Sequence, residues 1–199
     1  MTLSKRIFDL FFTSLGLLVL WPLLLLVVII IKLTDGGQVF FRQERVGLKG
    51  KRFRIWKFRT MVPNAEQIGQ SLTVGRDPRI TPIGHWLRKS KLDELPQLFN
   101  VMTGEMSLVG PRPEVPKYVQ LYPPQLRPVL DRVPGITDPA SIRYRDENDV
   151  LASAVDPERV YIDTIMPEKA RINLDYAARA SVATDFVVIF QTFGKLVKH

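Results

Sequence analysis

The chain has 199 residues, 46% of them hydrophobic, and its 28 Lys and Arg against 20 Asp and Glu leave a formal net charge of +8. With no cysteine and only His85 and His199, disulfides, thiolate chemistry and a His/Cys zinc site are excluded, and a Ser-His-Asp engine would depend on His85 alone. Any catalytic metal should be a hard, oxygen-bound ion such as Mg²⁺, and the surplus positive charge calls for an anionic partner: lipid headgroups, a phosphorylated substrate or nucleic acid.

From Leu10 to Ile31 the chain carries no charge for about 22 residues, close to the ~20 that a helix needs to cross a bilayer core. Pro22 lies mid-run and removes a backbone hydrogen bond, which disfavours a straight rod. Lys5 and Arg6 precede the run, while Lys32, Arg42, Arg45, Lys49, Lys51 and Arg52 follow it. Both flanks thus carry the basic residues of a cytoplasmic side. Two topologies fit: an ordinary span, or a helix that enters, bends at Pro22 and returns to the same face. A cleavable signal fits less well, because Thr34-Asp35-Gly36-Gly37 is a poor cleavage site. Beyond the run, about 165 residues suffice for one compact domain, with no linker to suggest two.

Gln38 to Arg45 and Arg52 to Thr60 predict two strands joined by a turn at Gly47-Leu48-Lys49-Gly50. Phe53 and Ile55 alternate with Arg52 and Arg54, and the pattern slips at Trp56, which predicts an apolar and a basic face with a bulge. Met61 to Arg79, with Pro63, Gly69, Gly75 and Pro78, reads as a long, partly helical loop. Thr81-Pro82 starts a helix to Ser90, with Thr as cap and Pro in the first turn. A second short helix opens near Asp93 and runs through Leu98 and Met102 to Gly104. Ser107 to Pro113 predicts a rigid turn. Val115 to Val133, interrupted by Pro123, Pro124 and Pro128, packs either in the core or at a membrane interface. In Asp185 to Val197, Phe186, Ile189, Phe190, Phe193 and Leu196 form a helical stripe with the same two readings.

Asp93 and Glu94 are adjacent acids at a helix start, where acids often only complement the helix dipole. Their setting suggests more. Arg88, Lys89 and Lys91 lie just upstream, and Arg112 sits in a Pro-braced turn downstream. Arg recognises phosphate through its planar fork, while a carboxylate can attack phosphorus or hold Mg²⁺. On a membrane-bound scaffold this points to phosphoryl transfer to a lipid.

Five segments occur in order: Lys57-Phe58-Arg59-Thr60-Met61, Asp77-Pro78-Arg79-Ile80-Thr81, Leu92 through Val101, Met106 through Pro113, and Pro134-Gly135-Ile136-Thr137. With them the sequence resembles the monotopic phosphoglycosyl transferases, the bacterial sugar transferase family that starts glycan assembly on polyprenol phosphate. The resemblance covers nearly the whole chain, implying a minimal, catalytic-domain-only member. It implies that Asp93 attacks the β-phosphate of a UDP-sugar, expels UMP and carries a covalent phospho-sugar, which polyprenol (undecaprenyl) phosphate then takes in a ping-pong reaction. Glu94 would be the second acid, and Mg²⁺ would bind at Asp93. Lys57, Arg59, Arg88 and Arg112 would line the phosphates, with Arg145 and Arg143 meeting the nucleotide. Members often carry Ser before the membrane proline; with Trp21 there instead, the bend rests on Pro22 and on packing by Trp21. Asp138-Pro139-Ala140-Ser141 also departs from the Gly that many members have, in a loop tied to sugar choice.

The expected fold is α+β and monotopic, with a re-entrant helix broken at Pro22, a β-hairpin and several short interfacial or amphipathic helices. Residues 1–33 form the membrane segment and 34–199 the catalytic domain, on the cytosolic face of a bacterial inner membrane. Expected partners are UDP-sugar, polyprenol phosphate and the bilayer; no oligomeric state follows. A non-enzymatic adaptor for acidic lipids would explain the charge but not the ordered motifs. A nucleic-acid binder fits the basic, aromatic Arg52 to Arg59 stretch but not the apolar run, so nucleic acid is not an expected partner.

Overall fold

The computed structural model describes residues 1–68, 73–75 and 77–197. Gly69 of the long loop and His199 lie outside the described residues, as does the side chain of Leu196.

One helix, α1, runs from Leu3 to Asp35 with Pro22 in its interior. Thr2 caps its start by accepting from the Lys5 amide, and Gly36, in the left-handed region, closes its end with an amide bond to the Lys32 carbonyl. That end conformation suits glycine. The helix is long and apolar enough to cross a membrane, and most of it is uncovered by the rest of the chain. Trp21 is 58% exposed beside Pro22, so its ring is not packed against the domain.

Both ends of α1 touch the domain, the first through polar bonds and ring contacts of Phe8 and Phe12 with Phe186. Near the start, Arg6 donates to the Val101 and Met102 carbonyls at 2.6 and 2.9 Å. Asp9 accepts from the Leu108 amide at 3.2 Å, and Lys5 pairs with buried Asp185. Near the end the contacts are apolar: Val27 and Ile31 bury against Phe58 and Leu87.

The hairpin follows. β1 (Phe40–Val46) pairs antiparallel with β2 (Arg52–Phe58), in continuous register from Phe40 opposite Phe58 to Val46 opposite Arg52. No bulge interrupts it. The slip at Trp56 has another cause: the two strand faces are covered by different partners. Phe53 and Ile55 meet Val101 and Met106, whereas Phe58, on the opposite face, meets α1. Lys57 therefore shares the inward face of Phe53 and Ile55, apart from Arg52 and Arg54, which stay exposed.

The helix Pro82–Lys89 forms as its cap predicts, with the Thr81 hydroxyl accepting from the Gly84 amide at 3.0 Å. The acids occupy a single 3₁₀ turn, Leu92–Glu94, ahead of the helix Gln97–Thr103. In place of a plain rigid turn, β3 (Ser107–Val109) pairs in parallel with β4 (Gly135–Thr137). The chain from Val115 to Val129 is core: Tyr118, Tyr122 and Val129 pack with Leu151, Tyr161, Ile165 and Met166. The helix Met166–Ala178 and the C-terminal helix Val182–Val197 complete the domain. The latter buries Asp185 and Val188 and leaves Phe190 and Phe193 exposed.

Gly84 is where the Pro82–Lys89 helix crosses the chain leaving β2. A Cβ there would lie 2.1 Å from the Thr60 carbonyl oxygen. Gly84→Ala must push the helix off the hairpin, and such overpacking should cost about 1–3 kcal/mol. Thermal unfolding of the detergent-solubilised protein should show a lowered Tm; an unchanged Tm would mean that this close approach is not a constraint.

Candidate active site

Lys91 adopts φ 57°, turning the chain sharply from the Pro82–Lys89 helix into the acidic turn. Asp93 and Glu94 are consecutive, so their side chains diverge and meet different surroundings. Asp93 is 6% exposed, and its Oδ1 has no hydrogen-bond partner. Glu94 is saturated by cations. Lys57 Nζ of β2 donates to Oε1 at 2.8 Å. Arg112, from the Pro-flanked turn after β3, donates Nη1 to Oε2 at 3.0 Å and Nη2 to Oε1. Such a two-pronged pair holds direction as well as charge.

Burial acts on both acids, and charge separates them. Burial raises the Asp93 carboxyl above its ordinary value, with Glu94 adding to the rise against the opposing cations Lys57, Lys91 and Arg88. Burial would raise Glu94 too, but Arg112 and Lys57 outweigh it and hold the acid well below the usual carboxylate range. Burial lowers the Lys57 ammonium, opposed mainly by Glu94. Glu94 is thus an ionised, fully engaged carboxylate, and Asp93 a buried one with an open oxygen.

Arg88 lies beside the pair. Its Nε donates to the Thr60 hydroxyl at 2.9 Å, and burial lowers its guanidinium against the pull of Asp93 and Asp77. The Asp-Pro-Arg motif closes on itself: Arg79 Nη2 meets Asp77 Oδ2 at 2.6 Å and Nη1 reaches the Ala65 carbonyl at 3.0 Å. Arg59 lies against the α1–β1 connection, where a Cβ on Gly37 would come within 2.8 Å of its guanidinium. Arg143 is exposed and pairs with Glu168 at 2.8 Å, and Arg145, two residues on, makes no ion pair among the described residues. Lys57, Glu94 and Arg112 are therefore in direct contact, Asp93 and Arg88 adjoin them, and Arg59, Arg143 and Arg145 bond to neither acid.

Two residues that the motifs did not single out support this arrangement. Arg45 of β1 sits directly opposite Phe53, so alternation turns it inward with that ring. It pairs with Glu114 at 3.6 Å and donates to the Pro113 carbonyl at 3.3 Å, beside the Arg112 turn. Asn100 is 0% exposed. Its Oδ1 accepts from the Trp56 amide at 2.9 Å while its Nδ2 donates to the Arg54 carbonyl at 3.0 Å and to Glu105 at 2.8 Å. One amide thereby fastens the helix after the acids to the strand that carries Lys57.

Among the described residues no group of three His, Asp or Glu side chains gathers to hold a metal. Mg²⁺ commonly takes only one or two carboxylates, with substrate phosphates and water completing its shell. The open Oδ1 of Asp93 fits that mode; the oxygens of Glu94 are already taken.

Comparison with known proteins agrees with this chemistry. The bacterial sugar transferase family profile matches residues 1–199, and the chain belongs to that family. It is an enzyme of the phosphoglycosyl transferase class. Among its relatives is the exopolysaccharide production protein ExoY of Sinorhizobium fredii, 37% identical over 96% of this chain and 84% of that protein. The UDP-glucose:undecaprenyl-phosphate glucose-1-phosphate transferase of Escherichia coli is 36% identical over 97% of this chain and 40% of its own. A UDP-galactose-lipid carrier transferase of Erwinia amylovora is 34% identical over 98% of this chain and 40% of its own.

Glu94→Gln leaves the partly buried Lys57 and Arg112 without their counter-charge, which should cost about 1–3 kcal/mol. The pH sign follows from the lowered Glu94. Its contribution is complete above the unfolded value near 4.5 and is lost as pH falls through the lower folded value. Denaturation curves from pH 7 downward should show the parent losing this increment only in acid, and the variant lacking it throughout.

Proposed function

We propose that this chain transfers a sugar 1-phosphate from a UDP-sugar to polyprenol (undecaprenyl) phosphate and releases UMP. The observation that carries the reading is the division of labour between the adjacent acids: Asp93 keeps an open, buried oxygen, while Glu94 gathers two cations. In the first half-reaction an Asp93 oxygen forms a bond to the β-phosphorus, the bridging P–O bond breaks, and UMP departs with that oxygen. In the second, a phosphate oxygen of the polyprenol carrier bonds to the same phosphorus and the P–O bond to Asp93 breaks. The aspartate is thereby regenerated, with a polyprenol-diphosphate-sugar as product. Lys57, Arg88 and Arg112 supply positive charge beside a dianionic group, which is what phosphoryl transfer chiefly requires. Glu94 keeps Lys57 and Arg112 aimed; being ionised and paired, it suits that task better than proton transfer. Mg²⁺ held at Asp93 would offset the repulsion between carboxylate and phosphate.

The membrane reading belongs to the same proposal. A straight helix between Arg6 and Ile31 would be about 38 Å long, longer than the ~30 Å hydrocarbon core. Both ends of α1 nevertheless contact the one domain, which supports placing both on one face of the bilayer, and Pro22 is the residue at which such a helix would bend. Residues 1–33 are then the membrane segment, and 34–199 the catalytic domain on the cytosolic face of the bacterial inner membrane, where UDP-sugars are.

Purified protein with a panel of UDP-sugars and polyprenol phosphate should release UMP, and chelation should stop the release until Mg²⁺ is restored. Asp93→Asn should lower turnover at least ~10³-fold, the scale for loss of a covalent nucleophile, and should yield no phospho-sugar adduct by mass spectrometry. Normal turnover by that variant would remove Asp93 as the nucleophile. Cysteine labelling of Thr2→Cys and Gln38→Cys in spheroplasts should find both positions on the cytoplasmic side; opposite sides would establish a span.

A further inference from the structure

A cavity of about 170 Å³ opens beside Arg112, bordered on one side by Arg45 and Val46 of the hairpin. It is far larger than the ~30 Å³ share of one water and smaller than the ~300–1,000 Å³ of sites that enclose a whole drug-sized ligand. It is therefore sized for about one ring. Its walls include Arg112, Tyr122, Glu147, Tyr161, Lys169 and Asn173. The helix Met166–Ala178 lays one face along it, with Met166, Lys169, Ala170 and Asn173 at helical spacing.

The chemistry of this wall is unfinished. Asn173 is 5% exposed, and its Oδ1 is buried without a hydrogen-bond partner. Tyr122 is 8% exposed, and no hydrogen bond among the described residues reaches its hydroxyl. By contrast Glu147 is paired with Lys169 at 2.7 Å and Tyr161 donates to Glu114. Buried amides and hydroxyls are nearly always satisfied, and an orphan costs stability. A buried orphan oxygen on Asn173 and a hydroxyl on Tyr122 that no side chain bonds, in one aromatic-walled recess, point to a ligand that supplies their partners.

We infer that this cavity receives the sugar ring of the donor, and that Asn173 and Tyr122 choose among sugars through its hydroxyl or acetamido groups. The inference rests on the proposed transferase reading. Three observations favour the sugar over the base. Arg112 is shared between Glu94 and the cavity wall, so one guanidinium joins the recess to the acidic turn. The volume suits one ring rather than base and ribose. The relatives named above differ in their sugar, glucose in one and galactose in another, so a pocket for that part must exist where such chains can differ.

The test compares UDP-glucose, UDP-galactose and UDP-N-acetylgalactosamine as donors for UMP release, with the full chain and with Asn173→Leu and Tyr122→Phe. Each substitution removes hydrogen-bonding groups while nearly keeping shape. Ratios of kcat/KM between donors are independent of the fraction of protein that is active. Sites that bond a substrate hydroxyl discriminate strongly against its absence, so at least one ratio should move by about tenfold or more in each variant. Because the Asn173 oxygen is unsatisfied, Asn173→Leu should leave Tm unchanged or raised. Smaller shifts in every ratio overturn the inference alone, as does loss of turnover with all donors, since these groups are assigned to the sugar and not to the chemistry. A parent protein that releases UMP from no donor overturns the transferase reading and this inference together.

Discussion

A carboxylate taken out of water must either meet cations or lose its charge, and this chain resolves that demand in opposite ways at neighbouring residues. Glu94 meets Lys57 from one strand and Arg112 from a turn more than fifty residues further along. Those two contacts draw the hairpin, the acidic turn and the β3–β4 unit onto one point. Asp93, pointing elsewhere from the same turn, receives the leftover field without a bond to quench it. The distinction between a paired and an unpaired carboxylate thus comes from one step along the backbone.

Around that point the fold works as a set of fasteners. Asn100 ties the helix behind the acids to β2 through groups on the open edge of the hairpin, which would otherwise want another strand. The Gly84 crossing brings the Pro82–Lys89 helix against Thr60, and the Thr60 hydroxyl in turn takes the Arg88 side chain. Gly110 and Gly135 approach so closely that a Cβ on Gly135 would lie 2.1 Å from the Gly110 amide nitrogen, and this contact anchors the turn bearing Arg112. Each joint is short-range in space and long-range in sequence.

That difference explains what could be read from the sequence. The uncharged run, the Thr81 cap and the hairpin depend on neighbouring residues, and all three were legible. The acids and Arg112 were legible through their motifs. The three-residue parallel pair was not, because its stability lies in partners about 28 residues apart rather than in local propensity. The regular register at Trp56 was hidden for a related reason: a strand buried against different partners on its two faces imitates a bulge in its apolar pattern. Arg59 and Arg143 show the converse. Their positions in or near the motifs imply contacts to phosphate and nucleotide, while their neighbours within the chain, Gly37 for one and Glu168 for the other, could be learned only from the packed chain.

The Arg6 guanidinium has a wider meaning for how this protein can be handled. It donates to the Val101 and Met102 carbonyls at the end of the very helix that begins just behind the acids, adding to the bond that the capping Gly104 amide makes to Val101. The apolar segment, long enough to cross a bilayer, is therefore also a tertiary partner of the candidate site. Cutting it away to obtain a water-soluble fragment would take the Arg6 side chain from the Met102 carbonyl, strip Phe58 and Leu87 of their cover, and loosen the acidic turn from behind. In this architecture solubility and an assembled site are competing ends, and detergent or a lipid disc serves as a structural reagent.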